Sequence, residues 1–179
     1  MCSGEDMIII REEREGDRGA VRAVNEQAFG QSDEADIVDR LRKSCPRRLS
    51  LVALEGDEIV GHILFSPVKI IGSAKTAEGM GLAPVAVLPA RQRRGIGTGL
   101  VKLGLEMLKS RGCPFIIVLG HPEYYPRFGF ARASLCDVRS QWDGVPDEAF
   151  MILVLDQAAM DGVSGVARYR DEFDEATQE

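Results

Sequence analysis

The chain has 179 residues, of which 45% are hydrophobic and 28% are charged, and its formal net charge is −6. These values fit one domain with a substantial core and exclude a disordered chain. An acidic chain is not expected to bind nucleic acid in general, because that affinity comes from neutralising many phosphates at once. The four cysteines and two histidines show no metal-ligand spacing, and no apolar run approaches the ~18 residues of a membrane span. We therefore expect free thiols, no metal, no membrane partner and a cytoplasmic protein.

The first part of the chain predicts a strand, two helices and a β-hairpin. An apolar run at residues 7–11 predicts the strand, Asp17 caps a helix that runs through about residue 28, and Ser32 or Asp33 caps the next. The hairpin pairs residues 49–54 with residues 58–65. The helix faces expected to be buried consist of Ala20, Val21, Val24 and Ala28, and then of Ile37, Val38 and Leu41.

The second part predicts a strand–helix–strand unit. Residues 67–81 are expected to form a connection with some extended structure, and residues 82–88 a strand that Pro84 makes irregular and partly unpaired. A helix follows, then an apolar strand at residues 115–119, and two strands joined in this way lie parallel. The buried stripe of that helix is expected to contain Ile96, Leu100, Leu103 and Met107. Beyond it we expect a short helix between Pro122 and Gly129 and a late strand at residues 150–155.

The turn between that strand and that helix reads R-Q-R-R-G-I-G-T-G over residues 91–99. Glycines let the backbone approach a ligand closely, the helix start presents unpaired N–H groups, and the arginines raise the local potential. A dinucleotide fingerprint fails because Leu100 stands where a glycine is needed, and a Walker loop fails because Leu105 and Glu106 stand where Lys and Ser or Thr are needed. The pattern predicts a site for a phosphorylated cofactor, with a plain packing turn as the alternative.

Three sets of residues resemble one enzyme family. Gln92, Gly95 and Gly97 form a Gln-x-x-Gly-x-Gly pattern that resembles the pyrophosphate-binding signature of the GNAT superfamily of N-acetyltransferases. Downstream, a Tyr-x-x-x-Gly-Phe pattern resembles the family's fourth-helix motif. The amino-terminal part is similar to the YhbS-like branch of the family, so that the resemblance covers about residues 8–156. The downstream pattern consists of Tyr125, Gly129 and Phe130. The amino-terminal similarity rests on Ala28-Phe29-Gly30, Glu34-Ala35 and Leu41-Arg42.

The resemblance implies an α/β (mixed α+β) fold in three layers. Its central sheet has about seven mostly antiparallel strands, splayed between the fourth and fifth, and about four helices flank it. Residues 82–88 match the fourth strand. The chain is then a single N-acetyltransferase domain spanning residues 1–179, with a core at about 7–156 and a partly frayed extension at 157–179.

The resemblance also implies acetyl-CoA as co-substrate and assigns its contacts. The cofactor-binding residues are Val85, Ala86 and Val87 for the pantetheine, the stretch Gln92, Arg93, Arg94, Gly95, Ile96, Gly97 and Thr98 for the pyrophosphate, and Tyr125. Tyr125 is the candidate general acid for the leaving thiolate, and the backbone N–H of Val87 is the candidate oxyanion donor. Packing against neighbouring aromatic rings is the alternative role for Tyr125.

The implied reaction is direct attack by a primary amine, of a small molecule or a protein, on the thioester in a ternary complex. His62, His121 and Glu123 are chemically eligible as the general base, and none is assigned. Many family members carry an Asn just after the fifth strand, where this chain has Gly120 and His121.

Two other functions stay open. A non-catalytic module that binds acetyl-CoA as a sensor is the second reading, and a different phosphate ligand in the same turn is the third. The sequence leaves undetermined the acceptor, the length of the acyl group and whether the chain forms a homodimer.

Overall fold

The structure is a computed structural model that describes residues 7–174. Within these residues the chain forms nine strands and four α-helices, against about seven strands and four helices implied by the resemblance. The fold divides into two compact units, one made of residues 7–65 and 84–105 and the other of residues 66–83 and 106–174. The prediction of one domain over the whole chain stays a prediction. No helix in residues 7–174 is both long enough and apolar enough to cross a membrane.

The first unit contains the predicted strand, helices and hairpin. Strand β1 pairs antiparallel with β2, and β2 pairs antiparallel with the first part of β3 from Leu49↔Phe65 to Glu55↔Glu58. The hairpin turn therefore lies at residues 56 and 57, as predicted. The elements of this part of the chain are β1 (Ile8–Glu12), α1 (Arg18–Phe29), α2 (Asp33–Ser44), β2 (Leu49–Glu55) and β3 (Glu58–Ile71).

The buried face of α1 differs from the predicted one. Val21 and Val24 are buried as expected, but Ala20 is exposed. The polar side chain of Asn25, which was not predicted to be buried, is fully buried on the same helix. An apolar period cannot reveal a buried polar residue whose partners lie elsewhere in the chain. In α2 the predicted Ile37, Val38 and Leu41 are all buried.

Helix α3 (Ile96–Ser110) begins where the glycine turn predicted. Of the predicted stripe, Ile96 and Leu100 are buried, whereas Leu103 and Met107 are only half-buried. Beyond Leu100 the burial moves to adjacent positions, and Val101 and Leu108 take the inner places. The stripe was therefore correct at its start and wrong at its end.

The second unit contains the remaining strands. The second part of β3 pairs antiparallel with β9, and β9 pairs parallel with β7. Strand β5 pairs antiparallel with β8, and β8 with β6. The elements are β4 (Thr76–Val87, its end lying in the first unit), β5 (Phe115–Leu119), β6 (Ala131–Arg132), β7 (Val138–Ser140), β8 (Phe150–Val154), α4 (Gln157–Met160) and β9 (Gly165–Arg168).

Strands β4 and β5 are parallel, as predicted for a strand–helix–strand unit. Their ladder contains the pairs Met80↔Ile116 and Gly81↔Ile117. No further β4–β5 pair occurs among residues 7–174, although β4 continues to Val87 and β5 to Leu119. The early end of this ladder agrees with the splayed fourth and fifth strands that the resemblance implied.

The irregular segments were predicted in part. Residues 67–81 contain more strand than predicted, because they form the end of β3 and the start of β4. Strand β4 runs past Pro84 without a break, and Pro84 lies beyond the last β4–β5 pair, in agreement with a partly unpaired strand. The short helix predicted between Pro122 and Gly129 is a 3₁₀ helix at Tyr125–Phe128 that ends at Gly129 as predicted. In the extension from residue 157, β9 is paired on both sides and Phe173 is buried, and partial fraying of this extension stays a prediction. Residues 175–179 lie outside the described residues.

Candidate functional site

The predicted phosphate-binding turn, in the first unit, contains two backbone positions of left-handed conformation. Arg93 has φ 62° and Gly95 has φ 80°, and α3 starts at the next residue, Ile96. The first bond of the helix runs from the N–H of Gly99 to the carbonyl of Gly95 over 2.9 Å. The N–H groups of Ile96 and Gly97 precede that bond, in the turn where an α-helix supplies no acceptor of its own. This is backbone geometry that suits an anionic ligand.

The side chain of Gln92 ties this turn to the end of β4. Its Nε2 donates to the carbonyl of Val87 over 3.1 Å. The next amide along the chain, that of Leu88, donates to the carbonyl of Val60 over 2.9 Å, which fixes the end of β4 beside β3. The glutamine of the Gln-x-x-Gly-x-Gly pattern thus supports the shape of the turn through one N–H of its side-chain amide.

Two of the three arginines in the turn pair with two acids that the sequence did not single out, Glu55 with both arginines and Glu58 with Arg91, whose Nη2 lies 3.8 Å from Oε2 of Glu58. The carboxylate of Glu55, at the end of β2, pairs with Nε of Arg91 and lies 2.9 Å from Nη1 of Arg94. The hydrogen bond from Arg91 is the main cause that holds the pKa of Glu55 below its usual range. Arg93 is exposed, and the described residues offer it no acidic partner. We therefore expect the net positive potential of the turn to come mainly from Arg93.

The predicted pantetheine-binding residues lie at the end of β4, also in the first unit. Ala86 is buried, whereas Val85 and Val87 are half-buried. This alternation is that of a regular strand, with successive side chains on opposite faces.

Tyr125, in the second unit, is the centre of an aromatic cluster. Its ring packs edge-on against Tyr124 at 5.1 Å and Phe130 at 5.7 Å between centroids, and Phe128 lies at 6.4 Å. Burial, with a smaller contribution from Tyr124, raises the pKa of Tyr125 to about 12. The hydroxyl therefore keeps its proton at neutral pH. The predicted packing role is present, and it does not exclude the predicted chemical role.

His62, one of the three candidate bases, lies in a buried chain of hydrogen bonds in the first unit. Nδ2 of Asn25 lies 2.9 Å from the carbonyl of Val21, which fixes it as a donor, and 3.0 Å from Nδ1 of His62. Nδ1 therefore accepts, and Nε2 carries the proton and donates to Oγ of Ser50 over 2.9 Å. Ser50 in turn donates to the carboxylate of Glu13. In each of these hydrogen bonds the donor is the residue on the Asn25 side and the acceptor is the residue on the Glu13 side.

Burial of His62 and the direction of its hydrogen bonds exclude two catalytic roles for this residue. Complete burial, followed by the charge of Arg42, lowers the pKa of His62 to about 3, so that it cannot take a proton at neutral pH. Because His62 donates to Ser50, it cannot remove the Ser50 proton either, and the pair does not form an activated nucleophile. Of the other two candidates, His121 and Glu123 are exposed and line one surface pocket of the second unit.

The cysteines take three different environments. Cys45 is buried, Cys113 is half-buried and Cys136 is exposed, and all three are free thiols. Burial raises the pKa of the Cys113 thiol, which keeps it protonated. Because Cys136 is exposed, it is not a packing residue. Cys2 lies outside the described residues.

Comparisons with known proteins decide the family. Residues 9–133 match the model of the acetyltransferase (GNAT) domain. The chain belongs to the GNAT family. The chain is 33% identical over 167 residues, 93% of its own length and 98% of the relative's, to the uncharacterized N-acetyltransferase YhbS of Escherichia coli K12. The resemblance to the YhbS-like branch is thereby confirmed.

Two solved structures of GNAT proteins share the fold and hold the expected ligand. The YhbS structure from Escherichia coli, in complex with CoA, superposes with a TM-score of 0.89 at 31% identity, covering 97% of this chain and 96% of that one. A GNAT family acetyltransferase from Brucella melitensis, in complex with acetyl-CoA, gives a TM-score of 0.77 at 37% identity, covering 94% and 99%. The predicted fold class is confirmed by these matches.

Proposed function

We propose that this GNAT protein transfers an acetyl group from acetyl-CoA to a primary amine, by direct attack in a ternary complex. The observation that carries the proposal is the turn from Gln92 to Gly97, whose left-handed backbone and amide-rich helix start suit a diphosphate. The CoA and acetyl-CoA complexes of the two similar GNAT structures support the choice of ligand.

Binding is assigned to backbone groups of the first unit. The amides of the stretch from Gln92 to Thr98 bind the pyrophosphate, apart from the N–H of Gln92 itself, which donates to the carbonyl of Pro89 over 3.4 Å. The backbone of residues 85–87 binds the pantetheine. Arg93 adds long-range attraction for the phosphates, while Arg91 and Arg94 hold the turn against Glu55. Acetyl-CoA supplies a thioester whose carbonyl carbon accepts the amine nitrogen as the carbon–sulfur bond breaks.

Two groups of the protein are assigned to the chemistry. The N–H of Val87 stabilises the negative charge that develops on the carbonyl oxygen. Tyr125 donates a hydrogen bond to the leaving sulfur. The pKa of Tyr125 is about 12, whereas that of a thiol is ~8.5. Complete transfer of the tyrosine proton to the thiolate would therefore cost about 5 kcal/mol. We therefore assign Tyr125 the role of donating a hydrogen bond to the thiolate as it forms. The thiolate then takes up its proton from solvent.

Deprotonation of the amine is assigned to solvent or to an exposed group. His62 is excluded by its burial and lowered pKa. The exposed His121 and Glu123 stay eligible. The variants His121→Ala and Glu123→Gln, made separately, test them, because loss of the general base changes the acidic limb of the pH–rate profile.

The binding part of the proposal is tested by calorimetry with CoA on a matched pair of variants. Gly95→Ala places a Cβ at φ 80°, and Gly112→Ala places one at φ 78°, with nothing within 4 Å of either Cβ. Both changes carry a similar strain of about 1–2 kcal/mol, but only the first alters the turn. We expect Gly95→Ala to weaken CoA binding about fivefold or more and Gly112→Ala to leave it unchanged.

The catalytic part is tested by release of the CoA thiol from acetyl-CoA with a panel of primary amines. Turnover with at least one amine is expected. Tight binding of CoA without turnover for any amine would indicate the non-catalytic sensor, and absence of CoA binding at millimolar concentration would reject the proposal as a whole.

A further inference from the structure

The residue that follows β5 makes room for the ring of Tyr125. A Cβ added to Gly120 would lie 2.4 Å from Cε2 of Tyr125, 3.1 Å from Cδ2 and 3.3 Å from Cζ, which carries the hydroxyl. Carbon atoms in contact are normally about 3.5–4.0 Å apart. Any side chain at position 120 would therefore collide with the edge of the ring that bears the functional group.

The backbone itself does not require a glycine at this position. Gly112 and Gly129 have positive φ angles of 78° and 96°, but Gly120 is not among the residues with positive φ. Its N–H donates to the carbonyl of Ala149 over 2.9 Å, a bond that any residue except proline can make. The close approach of Tyr125 is thus the physical reason for a glycine here.

The ring cannot simply move aside. Tyr124, Phe128 and Phe130 surround it at 5.1–6.4 Å between centroids. Its backbone is held as well, because the carbonyl of His121 accepts the N–H groups of Tyr124 over 3.1 Å and of Tyr125 over 3.5 Å. A methyl group at position 120 would have to displace the hydroxyl end of Tyr125 or distort this turn.

We propose that Gly120 is a positioning residue for acetyl transfer, which fixes the hydroxyl of Tyr125 because the absence of a side chain at position 120 leaves room for the ring. This inference rests on the proposed function, in which that hydroxyl bonds the leaving sulfur. It also accounts for the departure from the common family pattern after the fifth strand. An Asn side chain at position 120 would occupy the space that the Tyr125 ring fills.

Kinetics of a double-mutant cycle test the coupling between the two residues. We expect Gly120→Ala to lower kcat about tenfold or more, with KM for acetyl-CoA within about twofold of the wild type. In the Tyr125→Phe background, which lacks the hydroxyl, Gly120→Ala should cause no further loss of kcat. Equal losses in both backgrounds, or full activity of Gly120→Ala, would overturn the inference. Gly19→Ala is the matched control, because its Cβ would meet nothing within 4 Å.

A second measurement needs neither an acceptor nor activity. The chain contains three tyrosines, so Cζ-labelled tyrosine gives a simple carbon NMR spectrum in which Tyr125→Phe assigns one signal. We expect Gly120→Ala to shift the Tyr125 signal and to increase its broadening by a soluble paramagnetic agent, while the Tyr169 signal stays in place. An unchanged Tyr125 signal would overturn the inference, even if the wild type is an active acetyltransferase. A displaced signal in a protein that acetylates no amine would support the placement of the ring and reject the proposed function instead.

Discussion

Nδ2 of Asn25 lies 3.0 Å from Nδ1 of His62, and both side chains are fully buried in the first unit. This contact joins α1 to β3 and begins the chain of donors that ends at Glu13. A polar contact of this kind specifies how the helix sits on the sheet, because displacement of Asn25 would leave the buried Nδ1 of His62 without a donor.

The contact predicts a specific loss of stability. Asn25→Leu keeps the size of the side chain but leaves Nδ1 of His62 without a donor. Because it also removes Oδ1 of Asn25, which is buried without a partner among the described residues, the net loss in the free energy of unfolding should be about 1–2 kcal/mol. Urea unfolding measures this difference. Gln27→Ala, on the exposed side of the same helix, should change it by less than about 0.5 kcal/mol. Equal stability of Asn25→Leu and the wild type would contradict the assigned contact.

The lowered pKa of His62 predicts a loss of stability in acid. Folding depresses this pKa from 6.5 to about 3, so between these values the unfolded chain binds a proton that the folded chain does not. The stabilising contribution is therefore complete above pH 6.5 and falls by about 1.4 kcal/mol for each pH unit below it, until the folded pKa is reached.

Unfolding free energies of the wild type and His62→Gln from pH 8 to pH 4 check this prediction. Carboxylates titrate in both proteins, so the difference between them isolates the histidine. We expect that difference to shrink steadily below pH 6.5, and a constant difference would show that His62 is not held neutral.

Arg93 predicts a salt-dependent contribution to CoA binding. Arg93→Ala keeps the strain of a β-carbon at φ 62° and removes the guanidinium together with its alkyl stem, so it should weaken CoA binding about two- to fivefold at low salt. The effect should diminish toward 1 M salt, where screening is nearly complete over about 3 Å. Calorimetry at two salt concentrations measures both. An effect that persists at high salt would indicate direct contact with a phosphate instead of long-range attraction.

The hydroxyl of Tyr169 predicts a gain of stability on its removal. The ring is buried against Trp142 and Phe173, and its hydroxyl has no hydrogen-bond partner among the described residues. Because a buried polar group without a partner is destabilising, Tyr169→Phe should raise the free energy of unfolding by about 1 kcal/mol. A loss of similar size in thermal or urea unfolding would show that the hydroxyl binds a buried water.

Local patterns predicted the elements that carry the cofactor turn. Periodicity placed α1, α2 and α3, and glycine chemistry placed the left-handed turn at Gly95, because these signals act over a few residues. The roles of Gln92 and Glu55 could not be predicted, since each depends on a partner brought close by the fold. The end of β3 was missed because Pro67 and the glycines of residues 67–81 outweighed the alternation of buried Val68 and Ile70 with exposed Lys69 and Ile71.

The candidate site was less predictable than the fold. The role proposed for Tyr125 came from a resemblance, and nothing in the sequence indicates that Gly120 lies against its ring, since the contact depends on a turn between them. His62 was eligible as a base by residue type alone, and only its burial and its bond from Asn25 exclude it. The pKa of a side chain depends on its surroundings in the folded protein, and sequence patterns do not contain that information.

The pairing of β9 with the second part of β3 has a consequence for biosynthesis. Lys69 and Arg168 are partners in this ladder although about a hundred residues separate them along the chain. A ribosome adds roughly 5–20 residues per second, so the edge of β3 stays uncovered for several seconds after it emerges. During that interval it is open to pairing with another nascent chain, and we expect a premature stop before residue 165 to yield aggregates in preference to a shortened folded protein.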